Sequence, residues 1–191
     1  MNIINYPHPT LRHPSKPLKK VDKTIRSWVE EMFELMHAAK GIGLAANQVD
    51  LPFQLFVVNI GENDNNNSLV FINPVIKSPK GQAKAEEGCL SLPGLYGQVA
   101  RPEKIQVTGF DLQGNPINLV ADGLLARVIQ HEYDHLQGTL FIDRMDPADV
   151  RGFSDQLFEF ELELQKRQQA HIIPNTDELH SRLASLEKQY C

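Results

Sequence analysis

Only two of the 191 residues are cysteine, Cys89 and Cys191. Two thiols make a poor disulfide framework, which excludes a small cross-linked secreted scaffold. Long apolar runs are also lacking, and none approaches the ~18 residues that a membrane span needs. The opening "MNIINYPHPT" has no basic stretch followed by an apolar one, so no targeting segment is read there and a cytoplasmic protein is expected. Basic residues are not in excess: 19 Lys and Arg stand against 24 Asp and Glu, for a net charge of −5. Without a basic stripe, neither broad nor sequence-specific nucleic-acid binding is expected.

What is present is an ordinary globular composition, 41% hydrophobic and 23% charged, in a length that suits one domain with a helical appendage. Asp22 can cap a helix that runs to about Lys40, because Ile25, Trp28, Val29, Met32, Phe33 and Met36 follow the i, i+3, i+4, i+7 rule and Gly41 ends it. "GIGLAANQV" (41–49) reads as a glycine-rich turn. "FQLFVVNI" (53–60) and "LVFINPVIKS" (69–78) read as strands, with Pro74 marking an edge or a bulge. Between them "GENDNNNS" is an exposed loop. "AKAEEGCLSLPG" leads to a turn at Pro93–Gly94, and residues 104–122 form a hairpin around "LQGN". A helix follows, with Asp122 as its N-cap and Gly138 as its stop. "TLFIDRM" (139–145) reads as extended. A last long helix starts at Asp146–Pro147 and reaches about Gln169. Leu179, Leu183, Leu186 and Tyr190 then share one helical face, which suits a short helix on the body, a dimer contact or a frayed tail.

The stretch "QHEYDHLQG" (130–138) carries the chemistry. Positions i and i+4 of a helix lie on one face, so the imidazoles of His131 and His135 can reach a single ion. Glu132 stands beside them, close enough to reach a water on that ion. Val128 and Leu124, one and two turns earlier, place an apolar wall next to it. Gln130 and Asp134 point elsewhere, to support the ligands from behind or to face the surface. A pair of histidines at this spacing also occurs on plain helix faces, so a third ligand has to decide. Downstream, His171 and His180 lie in the weakly patterned tail, and Glu159 and Glu163 in a charged helix face. Upstream, Cys89 stands in "EEGCLSLPG" among polar and small residues, unlike a buried hydrophobe, and cysteine is a strong soft ligand once ionised.

Three segments, "GIGLAANQ" (41–48), "EGCLS" (87–91) and "QHEYDHLQG" (130–138), resemble the signature motifs of peptide deformylases in order and spacing. "YPHPTLR" and "DGLLARVIQHE" extend the resemblance, which covers about residues 3–147. It implies hydrolytic removal of the formyl group from the N-terminal formylmethionine of nascent polypeptides. It implies one divalent ion held by Cys89, His131 and His135. That ion is usually Fe²⁺ in the family, with Zn²⁺, Ni²⁺ or Co²⁺ able to take its place. A metal-bound hydroxide would attack the formyl carbon, with Glu132 as general base and then acid. The Gln48 amide and the Leu90 backbone N–H would stabilise the oxyanion. Ile42, Gly43 and Leu44 would contact a peptide lying alongside as an added strand. Glu87 and Gly88 would support Cys89 and line the mouth, and Leu124 and Val128 would wall the methionine pocket.

The implied fold is α+β, a single domain of antiparallel strands around a buried metal-binding helix, with a C-terminal helix. The expected division is a catalytic unit at 1–147, the C-terminal helix at 148–170 and a tail at 171–191. Arg127 stands where many relatives carry an aliphatic residue; its stem can pack while its head finds a carboxylate. Tyr96 stands where some carry an arginine near the peptide. The family also offers the ribosome, near its exit tunnel, as a partner through a basic C-terminal helix, whereas residues 149–170 here carry five acidic and three basic side chains. Two rival readings stay open on the residues alone. A true metallopeptidase would take its third ligand from beyond His135. A structural metal site would need four protein ligands and would have no use for Glu132.

Overall fold

A computed structural model describes residues 1–61 and 68–191, so the predicted loop around 61–68 lies mostly outside the described residues. In chain order the elements are α1 (Lys23–Ala38), β1 (Gly43–Ala45), β2 (Leu55–Asn59), β3 (Ser68–Lys80), β4 (Ala83–Cys89), β5 (Leu92–Arg101), β6 (Lys104–Phe110), β7 (Pro116–Asp122), α2 (Gly123–Leu136), α3 (Pro147–Arg151), α4 (Ser154–Gln169) and α5 (Thr176–Tyr190). A five-stranded antiparallel sheet has the order β1-β2-β3-β6-β7, and β4 and β5 form a separate hairpin.

Strand β2 explains the layering. Its residues are buried on both faces, so it reads as a continuous apolar run. Leu55 and Val57 point to one side, where Ile25, Val29, Met32 and Met36 of α1 cover them. Phe56 and Val58 point to the other, against Ala126, Val128 and Ile129 of α2. Each such side chain contributes about 1.5–3 kcal/mol when fully buried. Helix α2 is thereby held between the sheet and the β4–β5 hairpin. The hairpin has its own core, in which Leu92, Leu95 and Val99 meet Leu11, Leu140, Phe141 and Met145.

Local signals set several of these elements. The Asp22 carboxylate accepts from the Ile25 N–H and starts α1. Ile105 and Val107 alternate with polar residues in β6, and Asp111 closes its turn to β7 by accepting from the Gln113 and Asn115 N–H groups. Asp122 does begin α2 but makes no side-chain cap bond; Gly138, at φ 71°, ends it.

Other expectations are corrected. "GIGLAANQV" is not only a turn: Gly43–Ala45 is the edge strand β1, and Ala46–Val49 is a 3-10 turn. Pro74 lies in a central strand, paired on both sides, and its bulge falls where the β3–β6 register shifts between Ile72 and Val75. The turn after "EEGC" is at Leu90–Ser91; Pro93 and Gly94 lie within β5. Residues 141–144 form a 3-10 turn, because Asp143 accepts from the Leu140 N–H and folds the segment back. The long helix predicted from Asp146, and drawn as one unit at 148–170, is broken at Gly152–Phe153 into α3 and α4; the Gly152 and Phe153 N–H groups bond three residues back, and glycine resists helix continuation. Residues 176–190 form α5, whose Leu179, Leu183 and Tyr190 are buried against the body. Among the described residues no helix is long and apolar enough to cross a membrane.

Candidate metal centre and its cavity

Cys89 is the last residue of β4. There the hairpin register slips: Gly88 faces Tyr96 while Cys89 faces Leu92. Such a bulge re-aims a side chain, and here the Cys89 thiol meets the buried C-terminal half of α2. Its sulfur lies 3.3 Å from His135 Nε2. His131 and His135 project from successive turns of α2, with ring centroids 5.0 Å apart. The ligand atoms of Cys89, His131 and His135 all lie within 4.8 Å of one another. Among the described residues no other group of three or more His, Cys, Asp or Glu could hold an ion. Glu159, Glu163, His171 and His180 are exposed and do not belong to it.

One soft sulfur and two imidazoles, presented from two rigid elements, fit a divalent transition metal. The surroundings agree. His131 Nδ1 bonds Glu87 Oε2 at 3.0 Å, which turns its Nε2 inward, toward Cys89. Burial pulls the His131 pKa down, but the hydrogen bonds to Cys89 and Glu87 outweigh it and hold it up at about 10. A cluster that favours a positive charge at this point favours a metal cation there too, and metal binding then releases the proton. His135, buried and beside His131, is held well below the ordinary histidine range.

Behind these ligands runs a buried ion network. Glu87 accepts twice from Arg101, at 2.7 and 2.9 Å, and once from Arg127, at 2.6 Å. Arg101 also donates to Asp134 at 2.7 Å, and Asp134 accepts from Arg144 at 2.6 Å. Burial works to raise the Glu87 pKa, but the hydrogen bonds from His131 and Arg101 bring it down to about 2. Arg127 behaves as expected, with its head on Glu87 and on the Val99 and Ala83 carbonyls. Of the two places expected for Asp134, it takes the supporting one behind the ligands. Arg101 escaped the sequence reading altogether, because its partners lie 14 and 33 residues away and no local pattern ties them.

Glu132 is 4% exposed, and among the described residues its Oε2 has no hydrogen-bond partner. Burial raises its pKa to about 7. Gly43 is what makes room for it: a Cβ there would stand 2.4 Å from Glu132 Oε1. Gln48, 1% exposed, has its side-chain oxygen fixed by the Ala45 N–H at 2.9 Å. Its amide nitrogen is left to donate to Cys89 Sγ at 3.4 Å and Ser91 Oγ at 3.2 Å.

These groups share a cavity of about 730 Å³. Its lining includes Ile42, Gly43, Gln48, Glu87, Gly88, Cys89, Leu90, Leu124, Val128, His131 and Glu132, together with Tyr96 and Arg127. Leu124 and Tyr96 stand exposed at the rim while Val128 is buried deeper. His135 lies behind the lining. Leu44 does not line the cavity either: its side chain is fully buried in the α1 core, so only its backbone is available. β1 pairs with β2 on one side alone, which leaves a sheet edge beside the cavity. Gly41 also serves this floor, since a Cβ there would meet Leu90 Cδ1 at 2.7 Å.

Comparison with known proteins gives a consistent picture. The family model described as polypeptide deformylase matches residues 1–151. A peptide deformylase of Rhodopirellula baltica is 48% identical over 191 residues, covering 100% of this chain and 95% of that one. Among solved structures, a peptide deformylase from Legionella pneumophila is 38% identical with a TM-score of 0.79, covering 87% of this chain and 97% of that one. One from Plasmodium falciparum is 35% identical with a TM-score of 0.83, covering 89% and 99%.

Proposed function

The chain belongs to the polypeptide deformylase family, and from that membership we propose that it hydrolyses the formyl group from formyl-methionyl nascent peptides by metal-assisted general acid–base catalysis. The observation that carries this reading is one convergence. Cys89, His131 and His135 offer ligand atoms within 4.8 Å of one another, and the unpartnered Oε2 of Glu132 lies buried in the same cavity wall.

Cys89, His131 and His135 would hold the ion, and Glu87 would keep His131 in the tautomer that ligates. The ion supplies Lewis acidity, which activates water for hydrolysis near neutral pH. Fe²⁺ is the ion we assign in the cell; Zn²⁺, Ni²⁺ and Co²⁺ suit the same donors. Glu132 takes a proton from the attacking water and hands it to the departing amine. A carboxyl whose pKa burial brings to about 7 suits both tasks. The Gln48 amide and the Leu90 N–H donate to the oxygen that gains charge, and losing one such donor typically costs ~10²–10³ in rate. The peptide lies along the free edge of β1, at Ile42, Gly43 and the Leu44 backbone. Leu124 and Val128 receive the methionine side chain, with Glu87 and Gly88 at the mouth. We place this activity in the cytoplasm, where formylated nascent chains emerge.

Formate release from a formyl-Met peptide, by protein prepared with Fe²⁺ without oxygen, tests the reading. Wild type should turn over, and Glu132→Gln should bind metal equally but lose turnover. A metal-loaded wild type that releases no formate would overturn it.

A further inference from the structure

Gln48 sits in a four-residue 3-10 turn, Ala46–Val49, where the Ala45 N–H holds its side-chain oxygen and contacts from outside hold the turn itself. On the inner side the turn is tied to the centre. The Ile4 N–H donates to the Gln48 carbonyl at 2.8 Å, and the Asn47 amide donates to the His135 carbonyl. On the outer side Asp50 closes the turn in a left-handed conformation, φ 66°, with its N–H directed back to the Ala46 and Asn47 carbonyls. Aspartate is among the few non-glycine residues that enter this region, and contacts to its carboxylate and carbonyl hold it there. Two distant elements do so. Thr10 Oγ1 donates to Asp50 Oδ1. Arg182 of α5 pairs with Asp50 Oδ2 and donates to the Asp50 carbonyl at 2.9 Å.

We propose that Arg182 is a positioning residue for catalysis: it clamps Asp50, and through it the 3-10 turn, so that the Gln48 amide points at the reacting oxygen. This rests on the reading of Gln48 as the oxyanion donor. Arg182 lies on the last helix, 134 residues from Gln48 in sequence. The clamp is separable from the docking of α5 itself. Leu179, Leu183 and Tyr190 bury that helix, Tyr190 packs on Trp28 and Phe53, and its carbonyl accepts from the Lys19 N–H at 2.9 Å. The Arg182 side chain is 42% exposed, so its ion pair does little for the fold. Its leverage is geometric: it holds a residue two positions from a group whose displacement by ~1 Å is felt in the rate.

The test uses the full chain, metal-loaded, as wild type, Arg182→Ala, Arg182→Lys, Gln48→Ala and the double Arg182→Ala/Gln48→Ala. Formyl-Met peptide turnover, melting temperature and metal content are read for each. Arg182→Ala should lower kcat about tenfold with KM within about twofold, less than removal of a donor outright. Metal content and melting temperature should stay near wild type. Arg182→Lys should recover most of the loss. The double variant should be no slower than Gln48→Ala, since the clamp acts only through that amide. Wild-type kcat in Arg182→Ala, or a further tenfold loss in the double variant, overturns the proposal. So does a loss of kcat that merely follows a loss of fold. If Gln48→Ala itself keeps wild-type kcat, the oxyanion assignment fails first and the clamp falls with it.

Discussion

Replacing Gly43 by alanine adds one methyl group and should remove most of the activity while sparing the metal. The new Cβ would stand 2.4 Å from Glu132 Oε1 and 2.9 Å from its Cδ and Cγ. To reach an ordinary contact of 3.4 Å the carboxylate must retreat by about 1 Å. It cannot keep its place, because Gly43 belongs to β1, which is pinned to β2 at Val58. A catalytic group displaced by ~1 Å typically costs ~10² in rate, or about 2.7 kcal/mol of barrier. The three atoms nearest the new Cβ all belong to Glu132 and none to the proposed ligands, so metal content should stay at wild type. Overpacking of this kind costs about 1–3 kcal/mol of stability, which leaves the protein folded at assay temperature. Formate release under saturating peptide is the assay, with metal content measured on the same samples. If Gly43→Ala kept kcat within about twofold of wild type, Glu132 would not need the position that Gly43 allows it, and the reasoning would be wrong.

Two further substitutions separate ligand support from fold support. Glu87→Gln should weaken metal binding ~10–100-fold, because His131 loses the carboxylate that orients it; competition with a chelator measures this, and unchanged affinity would remove Glu87 from the centre. Arg101→Met should cost about 3–5 kcal/mol in denaturant unfolding, since two buried carboxylates lose their shared partner. The lower end is expected, as Arg127 still reaches Glu87 and Arg144 still reaches Asp134.

Most of the centre was legible along the chain because its parts are local patterns. The spacing of His131 and His135 is a property of one helix, and Glu132 sits within it. Cys89 was legible as an odd residue in its surroundings, and the three-segment resemblance made it a candidate ligand. Helix α1 and the β6–β7 hairpin followed from periodicity and capping for the same reason. What escaped was made by contacts between distant segments. Arg101 reads as an ordinary strand-end charge until β4 and α2 close around it. That the Leu44 side chain turns into the α1 core, leaving its backbone toward the cavity, was not readable from the segment alone. The bulge that aims Cys89 moved the turn from Pro93–Gly94 to Leu90–Ser91, which no dipeptide rule foresees. The break at Gly152–Phe153 is a local preference too weak to read with certainty inside a helical pattern.

The central claim is that a thiolate from β4 and two imidazoles from α2 hold one ion. X-ray absorption on the Zn²⁺-loaded protein tests it most directly. The account predicts one sulfur at ~2.3 Å and two nitrogens at ~2.0–2.1 Å, with the sulfur shell lost in Cys89→Ser and kept in Cys191→Ser. A first shell of nitrogen and oxygen alone in the wild type, or a sulfur shell that survives Cys89→Ser, would contradict it.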